Sequence, residues 1–280
     1  MDYLIIIWIF FISIGINLIF FIIAFILKSD IFTDLTYTLT FIILSITIVT
    51  WKKQWSLTQI LLFTAINIWA LRLGSYLFIR IIKTKVDHRF DKMRNSFIKF
   101  GSFWLLQGIS VAIISLPTIF ALSINKNYFS QNHYYNFIPF ILFLCFFFFE
   151  IISDYQKNKF YQLDNHSPFL QTGLWKISRH PNYFGEIMIW WSICIIFLLD
   201  LILTNYITDN YTIFWNLLWL LSPLYITLLI IFVSGIPILE KNSYFKLKNN
   251  LQYQEYLAKT SILIPWIGKK GLPKKLRNSN

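Results

Sequence analysis

Residues 173–191 read Gly173-Leu-Trp-Lys-Ile-Ser-Arg-His-Pro-Asn-Tyr-Phe-Gly-Glu-Ile-Met-Ile-Trp-Trp191, and an apolar run continues to about position 206. A polar loop turns here into the first turn of an apolar helix. Pro181 suits that first turn and restrains the residue before it. Gly185 permits close backbone approach. Glu186 falls one turn inside a segment fit to span a membrane, where a carboxylate is costly unless partnered. Asn182, Glu186 and Trp190 are spaced by four and share one helix face. Arg179 and His180 stand just before the helix. Basic groups beside the backbone amides of a helix N-terminus suit a phosphate or pyrophosphate.

Outward from this stretch, the rest of the chain is equally apolar. Its 280 residues are 56% hydrophobic, 20% aromatic and only 14% charged. A soluble domain carries about a quarter charged residues. The apolar runs predict an all-α, polytopic membrane bundle of seven helices, near 3–27, 34–51, 56–82, 100–122, 135–152, 184–206 and 213–238. Each approaches the roughly 20 residues that cross the hydrocarbon. The first run lacks a basic leader and a small-residue cleavage site, so it reads as a span and not as a cleavable signal.

Charge placement orients the bundle. With the N-terminus outside, the inner loops hold Lys28, the cluster Lys83 to Lys99, then Lys157, Lys159, Lys176 and Arg179, and nine Lys/Arg after residue 240. The outer loops hold only Lys52, Lys53 and Lys126. This bias predicts a cytoplasmic C-terminus. The net charge of +12 is thus mainly a topology signal, with some capacity for anionic headgroups. Nucleic acid is a poor partner for basic loops tied to a bilayer. Membrane lipids and a hydrophobic small molecule are the expected partners. Cys145 and Cys194 lie in separate apolar runs and read as small core side chains. One membrane domain is expected over 1–270, with a basic tail at 271–280.

Two further stripes carry polar groups into the spans. Trp69, Arg72, Tyr76 and Arg80 recur by three, four and four. Arg72 lies about two turns deep and needs a partner; Arg80 also suits snorkelling to the interface. Glu150, Asp154 and Asn158 recur by four, with Tyr161 close behind. Between these stripes lies the loop Val86-Asp-His-Arg-Phe-Asp-Lys-Met-Arg94. Near the end come Glu240, Tyr244, Tyr253-Gln-Glu-Tyr256, Thr260 and Ile264-Pro-Trp266, which suggest an amphipathic helix returning to the membrane surface.

Together these motifs resemble a known group. Arg-His-Pro-Asn-Tyr-x-Gly-Glu at 179–186 is similar to a segment of the steroid 5-alpha-reductase-like proteins. It is closest to their bacterial branch, the domain of unknown function 1295. Sterol C14/C7 reductases carry a close variant; isoprenylcysteine carboxyl methyltransferases carry a looser one, typically without the Asn and the Glu. Trp-x-x-Arg-Leu-Gly at 69–74, Asp-x-Arg-Phe at 87–90, Asp154-Tyr-Gln-Lys157 and the Tyr-x-x-Tyr ending support it in order, from about Asp34 to Trp266.

The resemblance implies NADPH-dependent reduction of a carbon–carbon double bond, of the enone type, in a hydrophobic lipid or steroid-like substrate. Its implied cofactor site comprises Asp154, Asn158, Arg179, His180, Asn182, Tyr183, Glu186, Tyr253 and Tyr256. Enolate charge develops on the substrate oxygen during such a reduction, so a donor must meet it. The resemblance points to Asp34 or Tyr37, and to Tyr76. As a residue ahead of an apolar run, Asp34 also suits a helix N-cap. The alternative is an S-adenosylmethionine-dependent methyltransferase, which shares the His-Pro-x-Tyr-x-Gly core; a non-enzymatic lipid-binding protein of the same fold is a third reading. Asn182, Glu186 and Asp154 to Lys157 favour the reductase. The sequence has no Gly-x-Gly-x-x-Gly fingerprint and no His-Glu-x-x-His or Cys/His metal cluster. No metal is expected.

Overall fold

A computed structural model of the chain describes residues 4–53, 55–84, 90–125, 134–163, 167–203, 218–268 and 271. The described residues form α1 (Leu4–Ile26), α2 (Phe32–Lys52), α3 (Leu57–Thr84), α4 (Phe97–Ser123), α5 (Phe137–Tyr161), α6 (Pro181–Leu203), α7 (Leu221–Leu228), α8 (Ile236–Leu247) and α9 (Leu251–Lys259). Among the described residues, seven stretches are long and apolar enough to cross a membrane, the last being Leu218–Leu247, which contains α7 and α8. The protein is an all-α, multi-pass membrane protein. The expected ends at 204–206 and 213–217, the outer loop from 126, Val86 to Arg89 and the tail from 272 lie outside the described residues.

The chain clusters into two compact units: Met1–Phe140 with Ser192–Tyr225, and Ile141–Trp191 with Ile226–Asn280. In the first, small and polar residues glue helices together, as suits a medium in which apolar contact alone gives no drive. Ser13 Oγ donates to the Gly108 carbonyl at 2.7 Å, joining α1 to α4. A Cβ on Gly108 would lie 3.1 Å from Ile14 Cα. Gln107 Nε2 donates to Asn17 Oδ1 and to the Thr33 carbonyl, each at 3.0 Å. Gln59 Nε2 reaches the carbonyls of Ala121 at 3.1 Å and Ile124 at 2.9 Å, satisfying the orphan end of α4. Phe21, Phe90, Phe100 and Trp104 form an aromatic core beside them.

The polar groups predicted on α2 and α3 fall in this first unit. Asp34 sits in the first turn of α2; Ile31 takes the N-cap place. Asp34 is therefore not the cap. Its Oδ2 meets Arg80 Nη2 at 3.0 Å, so Arg80 is paired. Tyr37 packs edge-on against Phe41 at 5.3 Å and Trp69 at 6.3 Å. The Arg72 guanidinium lies 5.5 Å over the Tyr76 ring, a cation–π partner that lowers the cost of its depth. Of the two cysteines, Cys194 is buried as expected, whereas Cys145 is exposed on α5.

In the second unit, the polar end of α5 carries the helix on to Tyr161, well past the expected end at 152. The apolar run marks the hydrocarbon, whereas the helix follows the backbone. The close approach predicted at Gly185 is present: a Cβ there would stand 2.9 Å from Glu150 Cβ and 3.2 Å from the Glu150 backbone. Phe184 packs edge-on between Phe146 and Phe149, each at 5.8 Å. The last span is broken. A π-turn, Leu229–Val233, precedes Ser234 and Gly235, and α8 restarts with Pro237 in its first turn. A Cβ on Gly235 would lie 2.7 Å from the Ile230 carbonyl. Such π-turns recur at functional positions.

Candidate cofactor site

The loop ahead of α6 is built by its own glycine and by the end of the chain. Gly173 has φ +60°, left-handed and favourable to glycine, and starts the 3-10 turn Gly173–Lys176. Gln156 Oε1 accepts from the Leu174 amide at 2.9 Å, and Trp175 Nε1 donates to the Ser153 carbonyl at 3.1 Å. Both anchor the turn to α5. The closing segment then laces onto residues 175–179. Tyr256 donates its phenol to the Trp175 carbonyl at 2.7 Å. Ser261 donates to the Ile177 carbonyl at 2.8 Å, Ser178 to the Leu263 carbonyl at 2.6 Å, and the Arg179 amide to the Ser261 carbonyl at 2.9 Å. The segment expected to return to the membrane surface is seen here packed onto the loop. Asn250 caps α9 by accepting from the Tyr253 amide at 3.0 Å.

Within this frame lies a cavity of about 430 Å³, a size typical of ligand pockets. Phe169, Trp175, Tyr253 and Tyr256 supply aromatic walls. Lys157, Arg179 and Lys246 supply three cations against one described carboxylate, Glu240. Glu240 bridges Arg179 and His180. Its Oε2 accepts from Arg179 Nη1 at 2.8 Å, and its Oε1 meets His180 Nε2 at 2.8 Å. Arg179 Nη2 donates to the Gly271 carbonyl at 2.9 Å. Arg179 Nε is buried and has no hydrogen-bond partner.

Burial is the main cause that lowers the His180 pKa from 6.5, against the raising effect of Glu240. His180 is therefore neutral at pH 7. A carboxylate only accepts, so the imidazole is the Nε2–H tautomer with a bare Nδ1. Burial is also the largest cause that pushes the Tyr253 phenol up to about 12, and it raises Tyr256 as well. Both remain hydrogen-bond donors at neutral pH.

Of the nine residues expected around the cofactor, the cavity gathers Arg179, His180, Tyr253 and Tyr256. Tyr183 stacks on His180, 5.7 Å between centroids. Asn182 Nδ2 donates to Asp154 Oδ1 at 3.2 Å, linking two predicted stripes one helix away. Glu186 is buried and accepts from the Trp190 indole at 2.9 Å, a residue on its own stripe. Asn158 is exposed. Asp34, Tyr37 and Tyr76 belong to the other compact unit. Glu240 was legible only as part of an amphipathic segment, although it is a carboxylate at the end of a span. Among the described residues no group of His, Cys, Asp and Glu is arranged to hold a metal.

The model of the family described as protein of unknown function (DUF1295) matches residues 20–260. The chain belongs to the DUF1295 family. The match covers both compact units and takes in the α6 motif, Glu240 and the paired tyrosines of α9. No curated protein and no solved structure matches this DUF1295 member.

Proposed function

We propose that this membrane protein is an NADPH-dependent reductase of a carbon–carbon double bond, of the enone type, in a hydrophobic lipid substrate. The observation that carries the reading is the cavity's pairing of aromatic walls with an excess of cations over Glu240. These residues fit a phosphorylated dinucleotide. Aromatic faces suit adenine and nicotinamide rings, and Lys157, Arg179 and Lys246 suit phosphates. The buried Arg179 Nε has a proton to give and no acceptor. Bound NADPH would supply the hydride. The protein's own part is to bind, to orient and to meet the substrate oxygen. For that last role Tyr37 and Tyr76 are the proposed donors, whereas Asp34, ion-paired with Arg80 as a carboxylate, can only accept. Asp154, Asn182 and Glu186 are proposed to support the cofactor from the α5–α6 pair, with Asn158 at its exposed end. The Lys/Arg bias supports a cavity on the cytoplasmic side, and the apolar outer surface supports lipids as the surrounding partner.

The methyltransferase reading keeps the same fold but places a sulfonium cation in the cavity. Three cations against one carboxylate oppose that charge. Thermal shift of the purified protein decides between them. At about 100 times its Kd, a ligand adds roughly 2.7 kcal/mol. NADPH is expected to raise the melting temperature by several degrees and NADH by less, since only NADPH brings the extra phosphate. Stabilisation by S-adenosylmethionine and none by NADPH replaces the reductase with the methyltransferase.

Glu186 gives a second check. Glu186→Gln retains an oxygen for the Trp190 indole, so the fold is expected to survive. NADPH affinity is expected to drop about tenfold, about 1.4 kcal/mol, as measured by titration. Wild-type affinity in this variant makes Glu186 a helix-start residue with no part in the site.

A further inference from the structure

The sequence motif supplies Arg179 and His180 as neighbours on one loop, but nothing in the motif says how two adjacent basic residues divide their work. The structure supplies the missing group from the far side of a broken helix. Glu240 spends one carboxylate oxygen on each of them, at 2.8 Å and 2.8 Å. The three side chains are all buried, at 3%, 7% and 6% exposure. The π-turn at Leu229–Val233 and Gly235 stand five to eleven residues before Glu240. They break the register of the span before α8, on which Glu240 sits.

We infer that Glu240 is the positioning residue of this site: it aligns the Arg179 guanidinium and holds His180 as the Nε2–H tautomer, leaving Nδ1 to accept from a hydroxyl or amide donor of the dinucleotide. This rests on the proposed cofactor reading for the identity of the ligand, but not for the state of His180. The chemistry follows from donor counting. Arg179 has no acceptor, so whatever replaces Glu240 must turn an oxygen toward it. In Glu240→Gln the amide oxygen faces Arg179 and the amide nitrogen then faces His180 Nε2. That nitrogen must accept, and the ring proton moves to Nδ1. One substitution, nearly isosteric, thus inverts the donor and acceptor of His180 without removing a side chain.

The test reads the tautomer directly. The chain has four histidines, so ¹⁵N-histidine labelling gives a sparse spectrum, and His180→Gln assigns the relevant signals. Multiple-bond ¹H–¹⁵N correlation, without ligand at pH 7.5, is expected to show a protonated Nε2 and a bare Nδ1 in the wild type. Glu240→Gln is expected to show the reverse and, by titration, NADPH binding at least tenfold weaker. The same tautomer in both proteins overturns the inference. So does an inverted tautomer with unchanged affinity, or a drop in melting temperature alone, which reduces Glu240 to a structural tie. If Glu240→Gln does not purify folded, Glu240→Asp carries the test. Its shorter side chain is expected to release His180 to a mixture of tautomers with weakened NADPH binding, and a tautomer unchanged from wild type overturns the inference. A wild type that binds no NADPH defeats the proposed function, and the ligand-free tautomer comparison then decides the role of Glu240 alone.

Discussion

Arg179→Met is expected to destabilise the protein by about 3–5 kcal/mol, because it leaves the Glu240 carboxylate buried without its cation. The pair is 2.8 Å apart with side chains only 3% and 6% exposed, so solvent screens little of the loss. Melting in detergent is expected to fall by on the order of 10 °C, and the double variant with Glu240→Gln to recover most of it. A double variant no more stable than the single one refutes this account. The pH dependence adds a sign. In the wild type the folded His180 has its pKa lowered, by burial first, with Arg179 and Lys157 lowering it further and Glu240 raising it. The unfolded chain therefore takes up the proton first, and this contribution to stability is present above pH 6.5 and is lost as pH falls below it. Without Arg179, the His180 proton becomes the partner of Glu240 and the folded pKa rises. Between about pH 7.5 and 5.5, acidification is then expected to weaken the wild type and strengthen Arg179→Met. Parallel slopes sink the explanation.

Gly185→Leu is the second large effect. A Cβ alone would stand 2.9 Å from Glu150 Cβ and 3.2 Å from backbone atoms of α5, and backbone cannot swing aside as a long side chain can. Overpacking costs about 1–3 kcal/mol and sometimes more. The separation of α5 and α6 is expected to break the 3.2 Å bond between Asn182 and Asp154 and to abolish binding of the proposed NADPH, with Gly185→Ala intermediate. Gly15 is the control: a Cβ there meets nothing within 4 Å, so Gly15→Ala is expected to change melting by a degree or two at most. Equal effects at the two glycines refute the packing argument.

The spans were readable because twenty apolar residues in a row have few alternatives, and those ends that fall on described residues agree with the structure within a few residues, except where polar residues prolong a helix beyond the apolar run. The close approach at Gly185 followed from the motif itself, and spacing by four put Asn182 and Asp154 each on a polar helix face; their pairing across 28 positions did not follow from it. The partner of Arg179 and His180 did not. Glu240 lies 61 and 60 positions away, and no periodicity links a loop before one span to the end of the next. Nor did the π-turn announce itself, since Leu229 to Val233 are ordinary apolar residues whose register is set by what α8 must reach.

The lacing of the closing segment also sets an order of events during synthesis. The Trp175 and Ile177 carbonyls receive their hydroxyl partners from residues 81 and 84 positions later. At roughly 5–20 residues per second, a nascent chain exposes the Arg179–His180 loop for about 4 to 16 seconds before those partners are made. Glu240, too, leaves the ribosome only after the last span has been translated. The cavity is thus a late product of biogenesis, closed from the carboxyl-terminal side. A chain halted between Leu247 and Ser261 has all its spans yet lacks the Ser261 hydroxyl and carbonyl that hold the loop, so the cavity marks a completed carboxyl-terminal segment.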